Sequence, residues 1–350
     1  MIFEGNEIYA DDREYDRYLD AQYPRRAADP RDCGETFVPE SGFYDVDRMG
    51  AHRETFAGLP VAGYRLLKGR VKVDPALVAW PLHGCGMYDE ADEAGYAAGL
   101  EELLAVADGS RIQAIVAPGI SARHAPAVLA ANAHRLPRLR SLFLGCTDPD
   151  YQISWIAQGD VTPVLEAFPL LERLDVRGGE GLELKPVRHA SLRVLRFETG
   201  GLPEGVVRAI GESELPALEH LELWLGTAAY GGGATVNDLD GILTGTGLPA
   251  LRRLGLCDSE IQDRVAAALA AAPVVSRLEE LSLAMGRLTD DGVEALLAGQ
   301  PLTHLRRLDL HHHFVSEPMG ERLRAALPGV EIDLSEAHDR RAGLYVSVAE

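Results

Sequence analysis

At 350 residues the chain has room for two ordinary domains or one repeat array, and its 46% hydrophobic and 25% charged content marks a folding sequence. Its 54 Asp and Glu against 34 Lys and Arg give a formal net charge of -20, which repels a phosphate backbone at long range and argues against nucleic acid and membrane surfaces as partners. No segment reaches the roughly 18 apolar residues of a membrane span, and Cys33, Cys85, Cys146 and Cys257 are too dispersed for a C-x-x-C pair, so a cytoplasmic protein with reduced thiols is expected.

Residues 1–48 carry thirteen acidic against six basic side chains and none of the patterning that follows. They read as an added acidic segment, either a genuine arm or the product of a start codon set too early. The stretch "MIFEGNEIYADDREYDRYLD" lacks both the basic region and the apolar run of a secretory signal. Residues 49–108 offer one strand, "ALVAWPL" from Ala76, and one amphipathic helix, "EADEAGYAAGLEELLAVAD" from Glu90. Together they form a capping unit of the kind a repeat core needs at its open end.

From Ile112 onward the pattern L-x-x-L-x-L recurs. It reads "IQAIVA", then "LRSLFL" from Leu139, "LERLDV" from Leu171, "LRVLRF" from Leu192 and "LEHLEL" from Leu218. "LRRLGL" from Leu251, "LEELSL" from Leu278 and "LRRLDL" from Leu305 follow, and "LPGVEI" from Leu327 closes the series. Successive starts from Ile112 to Leu305 lie 27, 32, 21, 26, 33, 27 and 27 residues apart. A period near 27 accommodates a short strand, a turn, a helix of about three turns and a return. The spacing predicts helices in "DVTPVLEAFP", capped by Thr162, in "SEIQDRVAAALAAAP", ended by Pro273, and in "LTDDGVEALLAG", capped by Thr289. Repeats are assigned to 109–338. Residues 339–350 are expected as a polar tail in which "LYVSV" supplies a final short strand.

Leucines at positions one, four and six point into a core that no single unit can bury, so units must stack. The expected fold is therefore an α/β leucine-rich-repeat solenoid, a right-handed β-α superhelix with a parallel concave sheet and convex helices. On these eight or nine units the chain resembles the ribonuclease-inhibitor-like leucine-rich repeats. More narrowly, "ISWIAQGDVTPVLEAFP", "RGGEGL", "ETGGLP", "HLELWLGTAAYGGGATVNDL" and "QPLTHLRRLDLHHHFVS" resemble a group of bacterial cytoplasmic leucine-rich-repeat proteins. That resemblance, covering residues 49–350, implies a protein without established catalytic activity, encoded near biosynthetic-type enzymes and suited to a scaffold role.

Strand alternation sends positions three, five and seven to the face opposite the leucines. There the sequence places Arg173, Asp175 and Arg177, then Val194, Arg196 and Glu198, then His220, Glu222 and Trp224. A solvent-facing tract of both charges around a Trp fits a protein or peptide interaction site, with the arginines and carboxylates pairing across it and Trp224 as apolar anchor. The bland alternative is an internal ion-pair ladder. The glycine-rich loops "RGGEGL", "ETGGLP" and "GTAAYGGGAT" should adjoin this tract on one rim. They either let a small molecule approach the backbone, as in an accessory enzyme or small-molecule-binding protein, or simply make tight turns. None matches a P-loop.

"LDLHHHF" puts Asp309, His311 and His313 on one side of a strand, but a polar strand end explains it better, and no metal is assigned. Trp155 is expected as a loop packing anchor. A His83–Cys85 nucleophile lacks an orienting third group. The chain is accordingly expected to be a non-enzymatic interaction protein without a cofactor.

Overall fold

The computed structural model describes residues 2–4, 7–9, 55–62, 73–84, 90–148 and 151–349. Two units, Met1–Val38 and Pro39–Glu350, are each compact. In the first, strands β1 (Ile2–Glu4) and β2 (Glu7–Tyr9) form an antiparallel hairpin. The remainder of the acidic segment lies outside the described residues, as does Cys85.

The second unit is organised by one ten-stranded sheet whose strands run parallel and lie in chain order. They are β5 (Ala79–Pro81), β6 (Ala114–Ala117), β7 (Ser141–Leu144), β8 (Arg173–Arg177) and β9 (Val194–Glu198). The series continues through β10 (His220–Gly226), β11 (Arg253–Ser259), β12 (Glu280–Ser282), β13 (Arg307–Asp309) and β14 (Glu331–Asp333). A separate hairpin pairs β3 (Thr55–Phe56) with β4 (Leu59–Pro60). Among the described residues the helices are α1 (Glu93–Val106), α2 (Ala125–Ala131), α3 (Thr162–Ala167) and α4 (Glu204–Glu212), followed by α5 (Asp240–Thr244), α6 (Gln262–Leu269), α7 (Asp290–Ala298) and α8 (Glu317–Ala326).

Register follows the repeat. Leu221 of β10 aligns with Leu254 of β11, which aligns with Leu281 and then Leu308. These leucines and the inward residues Val265, Leu269, Val293 and Leu296 of α6 and α7 belong to one continuous core. Leu221 and Leu281 are fully buried. Either Leu→Ala change should therefore cost about 2–5 kcal/mol in urea unfolding; a cost below about 1 kcal/mol would mean that the site is not a closed core position.

Local signals set the element ends with two corrections. Thr289 caps α7 as expected, its hydroxyl accepting from the Asp291 N–H. Thr162 instead opens α3, and Asp160 accepts its N–H at 2.9 Å, leaving the Thr162 hydroxyl to accept from the Lys185 N–H. The last unit is displaced by two residues. β14 pairs Leu308 with Ile332, so Ile332 fills the fourth position, and Leu327 caps α8.

Candidate functional site

The face of the sheet opposite the helices changes character along its length. At β5–β7 it is apolar: Ala79, Ala114, Val116 and Phe143 pack under Phe56 and Ala57 of the β3–β4 hairpin. In β8–β10 it is ionic. Asp175 of β8 aligns with Arg196 of β9, which aligns with Glu222 of β10; Arg177 aligns with Glu198.

Parallel strands stand only about 4.8 Å apart, so these side chains meet laterally. Arg173 holds Asp175 through Nη2 at 2.6 Å and through Nε at 3.0 Å. Arg196 spans three carboxylates, at 3.5 Å from Asp175, 3.1 Å from Glu198 and 3.1 Å from Glu222. Arg177 lies 3.4 Å from Glu198, and His220 Nε2 lies 3.4 Å from Glu222. The Trp224 indole N–H donates to Glu222 at 3.0 Å. Six formal charges cancel, three against three, within one closed lattice.

This overturns the expectation of a solvent-facing ladder. Arg173, Asp175, Arg177, Glu198, Glu222 and Trp224 are all buried, and Arg196 and His220 nearly so. Phe56 lies under the Arg173 guanidinium, 5.2 Å from ring centroid to Cζ. Alternation puts these residues opposite the leucines; it does not put them in water. For Glu222, burial alone would raise the carboxyl pKa, but the Arg196 charge and the His220 hydrogen bond outweigh it and hold the group below its usual range.

Beyond the lattice, an apolar cluster lines the C-terminal ends of the strands. It contains Cys146, Ile153, Ile156, Trp224, Cys257, Ala284 and Met285, with Tyr151, Ile120 and Val348 packed against it. Val348 arrives from the chain's own C-terminus. No strand forms in "LYVSV"; the segment instead runs extended across successive strand ends. The Ser347 N–H donates to the Met285 carbonyl at 2.7 Å, and the Val348 N–H donates to Asp258 Oδ1 at 2.9 Å. The Ser154 hydroxyl donates to the Ala349 carbonyl.

Asp258 is a buried carboxylate, and burial pushes its pKa well above the ordinary range, although the Val348 and Ser347 amides oppose the shift. The sign is opposite to that of Glu222. With the folded pKa raised, the folded state binds the proton more tightly, so Asp258 adds stability as pH falls from above its folded pKa towards the ordinary Asp value. Glu222, with its pKa depressed, contributes stability above the ordinary Glu range that is lost as pH falls through the depressed value. Asp258→Asn is therefore expected to be more stable than the parent at pH 8, with the difference shrinking on acidification. Melting curves across pH 4–9 check this; a parent-like Asp258→Asn at every pH would contradict it.

The glycine-rich loops lie at the same rim and are closed by backbone. A Cβ on Gly226, whose φ is +66°, would fall 2.0 Å from the Gly200 carbonyl, and one on Gly201 would fall 2.2 Å from the Tyr230 carbonyl. Glycine is needed there for contact between neighbouring loops. "LDLHHHF" is also rearranged relative to expectation. His311 Nδ1 meets Asp309 at 2.9 Å, whereas the His313 ring turns to the Leu334 carbonyl and the Val315 N–H. The turn after the strand separates the two rings, since His312 between them has φ +53°. Trp155 is 60% exposed and is no packing anchor.

Ten parallel strands in chain order, with repeated leucines facing helices across a single core, define a leucine-rich-repeat architecture. Among solved structures, a Bacteroides fragilis protein is similar to it at 27% identity with a TM-score of 0.65, over 74% of this chain and 76% of that one. An internalin from Listeria monocytogenes is 13% identical with a TM-score of 0.25, covering 85% of this chain and 95% of its own. A leucine-rich-repeat protein from Leptospira interrogans is 13% identical with a TM-score of 0.15, covering 67% and 92%. The last two superpose too poorly to inform the geometry. No family model matches the chain, and no curated protein matches it. Among the described residues no helix is long and apolar enough to cross a membrane.

Proposed function

We propose that this chain is a non-enzymatic interaction protein that holds an extended segment of a partner polypeptide along the C-terminal ends of its strands. The observation that carries the reading is the chain's own tail. Ser347, Val348 and Ala349 lie there as a peptide ligand would, with main-chain hydrogen bonds at three successive points and an aliphatic side chain on the Trp224 cluster. Main-chain bonds supply affinity to an extended peptide, and pockets for individual side chains supply selectivity.

In this reading the ionic lattice of Arg173, Asp175, Arg177, Arg196, Glu198, His220 and Glu222 is the rigid floor. It fixes strand register and orients Trp224 through its indole hydrogen bond to Glu222. A partner segment would present a small aliphatic residue to Trp224 and extended backbone to Asp258 and Met285. The two described cysteines, Cys146 and Cys257, are buried, which suits work in a reducing cytoplasm. A small-molecule pocket at the glycine-rich rim is the weaker reading, because the loop backbones already fill the space that a ligand would need. The experiment is to free the rim and offer a peptide in trans: a chain ending at Ala342 should take up a peptide of residues 344–350, and the full chain should take it up poorly.

A further inference from the structure

We infer that His312, Glu336 and His338 form a divalent-metal site, with a donor set that suits zinc. One ligand atom from each of the three residues lies within 4.8 Å of the others. The two imidazoles are closest, with His312 Nδ1 and His338 Nε2 3.0 Å apart. Tetrahedral zinc with bonds of about 2.0–2.1 Å sets neighbouring donors roughly 3.3 Å apart, so the rings need to part only slightly.

The far side of each ring is also arranged as a metal ligand requires. His312 Nε2 lies 3.3 Å from the Tyr345 carbonyl, which can only accept, so that nitrogen carries the proton and Nδ1 presents its lone pair. His338 Nδ1 lies 2.9 Å from the Tyr345 hydroxyl. Oxygen partners on the outer nitrogens fix the tautomer and orientation of ligating histidines. Without an ion, His338 Nε2 donates to His312 Nδ1 and Nδ1 accepts from Tyr345. On binding, the His338 proton moves to Nδ1, which donates to the tyrosine oxygen, and no proton need leave the pair.

The surroundings favour a built site. His312 and Glu336 sit on turns of adjacent repeats, tied by main-chain bonds from His312 to Ser335 and from His338 to His313. Phe314 and Tyr345 wall the rings, with centroids 5.9 Å from His312 and 5.2 Å from His338 respectively. Glu336 is exposed, so an ion can enter from solvent, and water completes the coordination. The neighbouring trio Asp309, His311 and Asp333 is a weaker candidate. Its carboxylates are already engaged by His311, Ser282, Arg307 and Ser335.

The test uses the full chain, stripped with a chelator and titrated with zinc alone against a chromophoric competitor. One zinc per chain is expected. His338→Ala and the surface change Glu336→Gln should each weaken binding at least 100-fold, and Tyr345→Phe about 10-fold, the usual range for an outer partner. His311→Ala should change it less than 2-fold. Circular dichroism of Glu336→Gln, which alters an exposed side chain, keeps the result independent of folding. No stoichiometric zinc, unchanged affinity in Glu336→Gln and His338→Ala, or loss confined to His311→Ala would each overturn the assignment. Tyr345 belongs to the tail, but none of the three proposed ligands does, and zinc uptake by the full chain is read separately from peptide uptake by the shortened one, so either reading can fail alone.

Discussion

Arg196→Ala is expected to destabilise the fold by about 3–5 kcal/mol, the usual consequence of removing one partner from a buried ion pair. The Arg196 guanidinium contacts Asp175, Glu198 and Glu222, and the last of these is fully buried. Without it the buried carboxylates outnumber Arg173 and Arg177 by three to two, and Glu222 loses the strongest influence holding its pKa down. Part of the loss should return at low pH, where the uncompensated carboxylates take up protons. Arg264→Ala, an exposed change on α6, should stay within about 0.5 kcal/mol. Urea unfolding of both variants checks this. A parent-like Arg196→Ala would mean that the lattice is open to water.

That expectation reverses what strand alternation suggests, and the reversal shows how far the sequence reaches. The repeated leucines were legible because L-x-x-L-x-L carries strand alternation and stacking at once; Leu221 and Leu281 could hardly be elsewhere. Alternation also names the residues on the opposite face. It says nothing of what covers them, because the covers come from far away in the chain. Phe56 reaches Arg173 from the β3–β4 hairpin, and Val348 reaches Asp258 from 90 residues on. A signal of closure was present all the same. Arg, Asp and Arg in one strand, Arg and Glu in the next, and Glu in the third alternate so that neighbours differ in sign, as an internally paired lattice requires.

The tail and the last turn were less legible for the same reason. "LYVSV" has a strand's alternation, yet it lies across strand ends and borrows its hydrogen-bond partners from a carbonyl, a carboxylate and a hydroxyl. Strand alternation places the histidine run along one strand, whereas its pairing is between turns. His312 meets His338 because adjacent repeats stack. The apolar neighbours of Trp155 in "ISWIAQGD" suggest an anchor, but the apolar cluster there is filled by Ile153 and Ile156 instead.

The central claim is that the strand ends form a peptide site which the tail occupies. A tethered occupant competes at an effective concentration on the order of millimolar, so a free peptide should bind the full chain far more weakly than a chain whose rim is empty. The direct measurement is a titration of fluorescent peptide 344–350 against the chain ending at Ala342 and against the full chain, with melting curves confirming that both are folded. Saturable one-to-one binding to the shortened chain is predicted, about ten-fold or more tighter than to the full chain, and lost when the Val348 position of the peptide is aspartate. A folded shortened chain that ignores the peptide, or binds the aspartate version equally well, would contradict the account.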